Sequence, residues 1–276
     1  MNDRECIAFL QWCLPSLGMR WGGFRKVRRQ VCKRISRRLD DLGLDDAEAY
    51  RLYLTSHDGE WTTLGSLCRV TISRFYRDRG VFDALRSRVL PQLAEAAAAR
   101  GEDRVRCWSA GCASGEEPYS LVMIWQPDQT LSIALEVTAT DADEGLLKRA
   151  RSGRYNKSSL KDLPDELREG SFTEEGGGYV IKDAFRRAVQ FELRDIRDEP
   201  PTGLFNIILC RNLAFTYYND RVQEAVLKSI QRVLVPGGVL VIGNHERLPA
   251  GGAGFEPIEN VPGAFSHHKP PGDGSA

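Results

Sequence analysis

At 276 residues with 42% apolar content, the chain is long enough for one large domain, or a small domain plus a standard one, around a real core. Lys+Arg and Asp+Glu each number 38, so the formal net charge is zero, which excludes the strong basic excess of a dedicated nucleic-acid binder. No apolar run approaches membrane-spanning length and the first residues carry no secretory pattern, so a cytoplasmic protein without membrane insertion is expected. The seven cysteines (Cys6, Cys13, Cys32, Cys68, Cys107, Cys112 and Cys210) form no Cys-x-x-Cys pair and have no histidines at zinc spacing. No metal site is expected, and all seven are expected to be buried free thiols in a reducing cytosol.

Residues 1 to about 75 read as helical. Phe24, Val27, Val31, Ile35, Leu39 and Leu42 recur at three- and four-residue steps, which predicts an amphipathic helix ending at Gly43. Its other face carries Arg25, Lys26, Arg28, Arg29, Lys33, Arg34, Arg37 and Arg38. Asp45 and Asp46 open a second helix, and a third spans 61–68. Residues 81–100 read as a long connecting helix, disturbed at Pro91 and stopped at Gly101. From Arg104 strands alternate with helices, the pattern of a parallel α/β sheet. Strands are predicted at 104–109, 133–140, 189–193, 205–210 and 238–243, and helices at 119–126, 143–151 and 220–234. The polar stretch 152–187, with Gly176-Gly177-Gly178 before Tyr179-Val180-Ile181, predicts an inserted hairpin. The expected organisation is a helical domain over 1–80, a linker helix over 81–103 and an α/β domain over 104–268. That domain holds an inserted subdomain at 152–188, and a disordered tail follows at 269–276.

The sequence is organised around 104–120. A short strand passes into the small residues Ala110-Gly111-Cys112-Ala113-Ser114-Gly115, and a helix restarts after Glu116-Glu117-Pro118. Strand, small-residue turn and helix start are the parts of a nucleotide-type pocket, because only small residues let a ligand approach the backbone. The two acids would repel a pyrophosphate but suit an adenosyl ligand with a cationic sulfonium and amino group. Asp141 ends the second strand, where an acid accepts hydrogen bonds from ribose hydroxyls; Asp143 reads equally as a helix N-cap. Asp195 after the third strand reads as an acceptor for an adenine amino group or as an exposed loop acid, with Ile196 offering apolar bulk to the ring. The fourth strand runs into Arg211-Asn212, facing the crevice where open α/β sheets bind ligands. Pro236-Gly237-Gly238 before a fifth apolar strand favours a methyltransferase sheet over a nicotinamide-binding one.

These stretches resemble the CheR-type S-adenosylmethionine-dependent methyltransferases. The resemblance is carried by Trp108-Ser109-Ala110, Ser114-Gly115-Glu116-Glu117-Pro118-Tyr119-Ser120, Asp141-x-Asp143, Ala150-Arg151-Ser152-Gly153-x-Tyr155, Cys210-Arg211-Asn212 and Pro236-Gly237-Gly238. It covers roughly residues 15–248 and implies a Rossmann-like class I methyltransferase sheet with a small helical N-terminal domain and a small inserted subdomain. It further implies S-adenosyl-L-methionine as cofactor, S-adenosyl-L-homocysteine as product, and a glutamate side chain of a chemotaxis receptor as acceptor. Cofactor contacts are implied at Ala110, Gly111, Glu116, Asp141, Asp195, Ile196, Arg211 and Asn212. The segment of the form Thr-Asn-x-Thr-x-Phe-Phe-Arg reads Val70-Thr71-Ile72-Ser73-Arg74-Phe75-Tyr76-Arg77 here, with Thr71 in the place of asparagine, Ser73 a conservative change and Arg77 matching. The rim departs further. Phe215-Thr216-Tyr217-Tyr218 replaces a tyrosine-phenylalanine pair, and Gly243-Asn244-His245-Glu246 stands for Gly-His-Ser-Glu.

Carboxyl methylation suits such a site, because a carboxylate is already nucleophilic at neutral pH and needs no general base. Alignment and exclusion of water are the work. A guanidinium can hold one carboxylate oxygen and leave the other to attack; Arg77 is the first candidate and Tyr217 the second. The competing reading of Arg77 is a salt bridge joining the two domains. The basic helix face suits an acidic protein helix bearing a target glutamate, as in a chemoreceptor. Two alternatives stay open, a small-molecule carboxyl or hydroxyl O-methyltransferase and a non-catalytic cofactor-binding signalling module.

Overall fold

The computed structural model describes residues 1–125, 132–250, 252 and 254–268; the tail expected at 269–276 and the last residue of the helix expected at 119–126 lie outside them. The chain divides into two compact units, Met1–Thr71 with Thr216–Gln223, and Ile72–Phe215 with Glu224–Ala276.

The first unit is helical: α1 (Asp3–Cys13), α2 (Trp21–Phe24), α3 (Arg28–Leu42), α4 (Ala47–Ser56) and α5 (Asp58–Leu67). Asn2 caps α1 with a full capping box to Glu5, and Asp46 caps α4 by accepting from the Ala49 N–H. The amphipathic helix expected from Phe24 is two helices, broken over 25–27. Gly22 and Gly23 weaken the first piece. Gly23 also sits so close to the backbone of residue 216 that a Cβ would lie 2.4 Å from the Thr216 carbonyl oxygen. In α3, Val31, Ile35 and Leu39 are buried at four-residue steps, and Gly43, at φ 67°, closes the helix in the left-handed conformation. Three of the eight cations on this stretch bind within the unit. Arg28 makes a two-pronged contact to Asp3, Arg34 donates to the Arg69 carbonyl, and Arg38 grips the buried Glu60, which also accepts from Tyr50. Arg25, Lys26, Arg29, Lys33 and Arg37 are exposed.

The expectation of free thiols fails at Cys6 and Cys32, which form a disulfide between α1 and α3 with Cα atoms 5.9 Å apart. No sequence spacing signals this pair, because the two cysteines meet only once the helices pack. The other five cysteines are free and buried.

In the second unit, α6 (Arg79–Ala84), a π-helical turn at Leu85–Val89 and α7 (Leu90–Ala99) make one continuous helix. Pro91 has no N–H to give to the preceding turn, and the ladder widens just before it. This helix is no linker. Val81, Phe82, Leu85, Val89, Leu90 and Leu93 belong to the same buried cluster as the sheet residues Val105, Val137 and Ile207. The sheet strands are β1 (Arg104–Ala110), β2 (Ala134–Asp141), β6 (Val189–Leu193), β7 (Phe205–Cys210), β8 (Leu234–Ile242), β9 (Phe255–Pro257) and β10 (Ala264–His267). Their order is β6-β2-β1-β7-β8-β10-β9, with the first five parallel and β10 antiparallel to both neighbours. This is the Rossmann-like class I sheet expected from the sequence. β9 and β10 were not expected, since each is short and separated from β8 by a glycine- and proline-rich stretch. Helices α8 (Glu116–Ile124), α9 (Glu144–Ser152), α12 (Ala214–Tyr217) and α13 (Asp220–Val233) follow β1, β2 and β7.

Between α9 and β6, β3 (Arg154–Tyr155), β4 (Phe172–Glu175) and β5 (Gly178–Ile181) form a small antiparallel sheet with α10 (Asp165–Ser171) and α11 (Asp183–Arg187) alongside in the chain. Its hairpin turns at Gly176 and Gly177, both at positive φ, as a two-residue turn of the right hand demands. Among the described residues no helix is long and apolar enough to cross a membrane.

Candidate active site

Strands β2, β1, β7 and β8 end side by side, and the chain order reverses between β1 and β7. Open α/β sheets leave their ligand crevice at that reversal, beyond the C-terminal ends of the strands. The residues delivered there are Ala110, Asp141, Arg211-Asn212 and Gly243.

The turn after β1 is pinned to the end of β2. The N–H groups of Gly111 and Cys112 both donate to the Thr140 carbonyl, at 2.8 and 2.9 Å, and the Ala113 N–H donates to Asp141 Oδ2 at 2.9 Å. Gly111, Ala113 and Gly115 all take left-handed backbone. At Gly115 a Cβ would stand 3.0 Å from that of Ala150 and against the Tyr119 and Phe191 rings, so the φ of 89° and the packing both require glycine. Tyr155 fastens the turn by donating to the Ser114 carbonyl, and Tyr119 ties α8 to α9 by donating to the Ala150 carbonyl.

Glu116 opens α8 and is buried, with the hydroxyls of Ser73 and Ser114 beside it. Burial pushes its carboxyl above the usual carboxylate range, against those hydrogen bonds. Its Oε2 is buried without a hydrogen-bond partner among the described residues. Such an oxygen is expensive to leave bare. Glu117 faces elsewhere. Ser109 donates to its Oε1 at 2.8 Å and Arg211 to its Oε2 at 3.2 Å, and burial again raises its pKa while the guanidinium opposes the rise.

The structure commits Arg211 to the protein. Its side chain is 2% exposed, pairs with Asp78 at 2.8 Å and with Glu117, donates to the Arg77 carbonyl and lies over the Phe82 ring. Arg211 thus forms an internal strut between β7, α8 and the 76–78 turn, while its Nε is buried without a hydrogen-bond partner among the described residues. That turn holds two non-glycine residues at positive φ, Tyr76 and Asp78, with Arg77 between them. Arg77 donates to the Ile72 carbonyl at 2.9 Å and to Asn212 Oδ1 at 3.2 Å. Among the described residues it makes no ion pair within 4.0 Å, though its charge helps to oppose the raised pKa of Glu117.

Asp141 accepts backbone N–H groups on both oxygens, from Ala113 and from Asp143. Asp143 is the N-cap of α9, accepting from Gly145 and Leu146. Asp195 is held in a two-pronged pair by Arg197, so an adenine amino group would compete with a guanidinium there; Ile196 beside it is buried. Thr71 and Tyr217 fall in the helical unit, where Tyr217 packs edge-on against Phe24 at 5.2 Å. The sequence reading missed Ser109, Asp78 and Glu246 as site residues, and it took Glu117 together with Glu116 as facing the ligand. Glu246 accepts from the backbone of Gly243 at 2.6 Å, Asn212 at 2.8 Å and Leu213 at 3.2 Å, joining the ends of β7 and β8. Among the described residues no cluster of His, Cys, Asp or Glu could hold a metal ion.

Residues 71–261 match the family described as CheR methyltransferase, SAM binding domain. The chain is 34% identical over 183 residues to a chemotaxis protein methyltransferase of Listeria monocytogenes, covering 66% of this chain and 68% of that one. It is 35% identical over 182 residues to chemotaxis protein methyltransferase 1 of Pseudomonas aeruginosa, covering 63% and 65%. To a probable chemotaxis protein methyltransferase of Rhizobium etli it is 32% identical over 228 residues, covering 79% and 84%. With the parallel sheet, the acidic small-residue turn and this match over most of its length, the chain belongs to the CheR methyltransferase family and is an S-adenosyl-L-methionine-dependent methyltransferase.

Proposed function

We propose that this enzyme O-methylates a glutamate carboxylate on an acidic protein helix, with a chemoreceptor as the partner; its relatives' names place them in chemotaxis. The observation that carries the proposal is Arg77. Its guanidinium is held by neutral oxygens of Ile72 and Asn212 and makes no ion pair among the described residues. A cation placed this way can take a carboxylate oxygen in a charge-assisted bond and leave its twin to attack.

The residues present fit the cofactor. The buried, unpartnered Glu116 Oε2 suits a cationic amino group, Asp141 at the end of β2 suits ribose hydroxyls, and the small turn 110–115 admits an adenosyl group to the backbone. Ser73, Asp195 and Ile196 complete the proposed lining, while the Asn212 side-chain oxygen is taken by Arg77. When bound, S-adenosyl-L-methionine supplies the methyl group on a sulfonium. The protein's own work is to hold the acceptor on Arg77 and to keep water out. No side chain has to take a proton, since the attacking carboxylate is already ionised.

Incubation with methyl-labelled cofactor and host membranes tests this reading. The label should appear on a receptor-sized band and be released as methanol by alkali, because methyl esters hydrolyse and methylamines do not. Alkali-stable label, or label on a small molecule alone, overturns it.

Asp141→Ala is expected to weaken S-adenosylhomocysteine roughly 10- to 150-fold, the worth of a charge-assisted hydrogen bond of about 1.5–3 kcal/mol. Asp143→Ala removes only the α9 cap, so calorimetry should show near-normal affinity with stability lowered by about 1 kcal/mol.

The exposed cations of α3 are proposed as the docking face for the acidic helix. Because Arg28, Arg34 and Arg38 serve the unit itself, the informative reversal is Arg29, Lys33 and Arg37 to glutamate. The expected result is a raised KM for receptor, unchanged cofactor affinity, and a wild-type rate that falls with salt as charges are screened over about 10 Å near 0.1 M. A salt-independent rate untouched by the reversal would contradict docking on this face.

A further inference from the structure

We propose that Glu246 is a positioning residue that acts through Asn212 on Arg77. Its single carboxylate gathers three backbone N–H donors from two strand ends, Gly243, Asn212 and Leu213. Two of these donors flank the place where Asn212 takes a left-handed conformation, at φ 55°, which a non-glycine residue adopts only when its surroundings impose it. The Asn212 side chain is then packed on Gly243, where a Cβ would stand 3.0 Å from Asn212 Cγ and Oδ1 and 2.9 Å from Glu246 Oε2. From that position Asn212 Oδ1 accepts from Arg77 at 3.2 Å. The path from Glu246 to the guanidinium therefore runs through one backbone conformation and one side-chain hydrogen bond. Every member lies in the same unit.

A carboxylate suits this task better than an amide. It offers acceptor sites on both oxygens and no donor, so it satisfies three converging N–H groups, whereas glutamine would turn its own NH2 against one of them. The consequence falls on alignment rather than on cofactor binding, since Glu116 and Asp141 owe nothing to this acid. The inference rests on the reading of Arg77 as the group that holds the acceptor carboxylate.

Two measurements on the full chain test it, one of which needs no acceptor. In protein labelled with 15N-arginine, the Arg77 guanidinium, assigned with Arg77→Lys, should give separate NH signals in the wild type because its two amino groups are tied to Ile72 and Asn212. In Glu246→Gln these signals should merge as the Asn212 tether is lost, while those of Arg211 stay put. The second measurement is a double-variant cycle on the initial rate of alkali-labile methyl transfer to host membranes. Glu246→Gln should lower kcat about 10- to 100-fold with S-adenosylhomocysteine affinity within about threefold of wild type. In an Arg77→Ala background it should lower the rate less than twofold further, because both variants break one path. Arg77 signals unchanged in Glu246→Gln, or losses that multiply in the cycle, overturn the inference. If instead Arg77→Ala alone methylates normally, the reading of Arg77 fails while the spectroscopic link from Glu246 can still stand. Glu246→Asp, read in the same way, serves where glutamine does not fold. If neither variant binds S-adenosylhomocysteine, the acid is a folding element and the inference is overturned.

Discussion

Arg211→Ala is expected to destabilise the enzyme by about 3–5 kcal/mol, read as a lowered midpoint of urea unfolding. The guanidinium is 2% exposed and sits between Asp78 and Glu117, so its removal leaves two largely enclosed acids without their cation. Burial already pushes the Glu117 carboxyl up, and Arg211 is the strongest force opposing that rise. Without it Glu117 should titrate higher still. A carboxyl whose folded pKa lies above its unfolded value contributes stability below the unfolded pKa and loses it as pH rises through the folded one. The destabilisation should therefore grow from acid toward neutral pH, and adding Glu117→Gln should recover part of it. A loss under about 1 kcal/mol that ignores pH would show that the pair is not the strut described.

Arg77→Ala is expected to lower kcat by roughly 100- to 1,000-fold, the usual cost of removing one preorganised donor from a transition state. Its hydrogen-bond partners are neutral oxygens of Ile72 and Asn212 and its pull on Glu117 is weaker than that of Arg211, so little folding energy goes with it. S-adenosylhomocysteine affinity should hold, and thermal stability should change by no more than about 1 kcal/mol. Arg77→Lys should not restore the rate, because an ammonium offers no planar fork to a carboxylate. Turnover within threefold of wild type in the alanine variant would remove Arg77 from the acceptor site.

The sheet was legible in the sequence for a physical reason. Parallel strands buried on both faces read as apolar runs, and Phe205 to Cys210 is buried at every position. The acidic turn was legible because few ligands tolerate Glu116 beside a small-residue backbone. What escaped were relations between distant residues. Cys6 and Cys32, 26 positions apart, meet only through helix packing. Arg211 was legible as a polar residue following a strand, but its pairing with Asp78, 133 positions away, was not. Glu117 is next to Glu116, and only the start of α8 separates the two carboxylates by direction. Glu246 was hidden because its three backbone partners come from two strand ends that meet only in the fold. The break between α2 and α3 was hidden because the apolar period continues across it.

The proposed role of Glu116, a buried carboxylate receiving the cofactor's cation, makes one substitution act in two opposite senses. Glu116→Gln should make the ligand-free protein more stable than wild type at neutral pH, since it removes a buried acid whose Oε2 has no partner among the described residues. The gain should be near zero around pH 4, close to the usual glutamate pKa. It should open as pH rises through the raised pKa of the folded protein, where wild type loses stability and the glutamine variant does not. The same variant should bind S-adenosylhomocysteine roughly 10- to 150-fold more weakly, for loss of a charge-assisted bond. Thermal melts and calorimetric titration of the two proteins side by side give both quantities. A raised melting temperature with weakened binding is the predicted result; a lowered melting temperature with unchanged binding would contradict it.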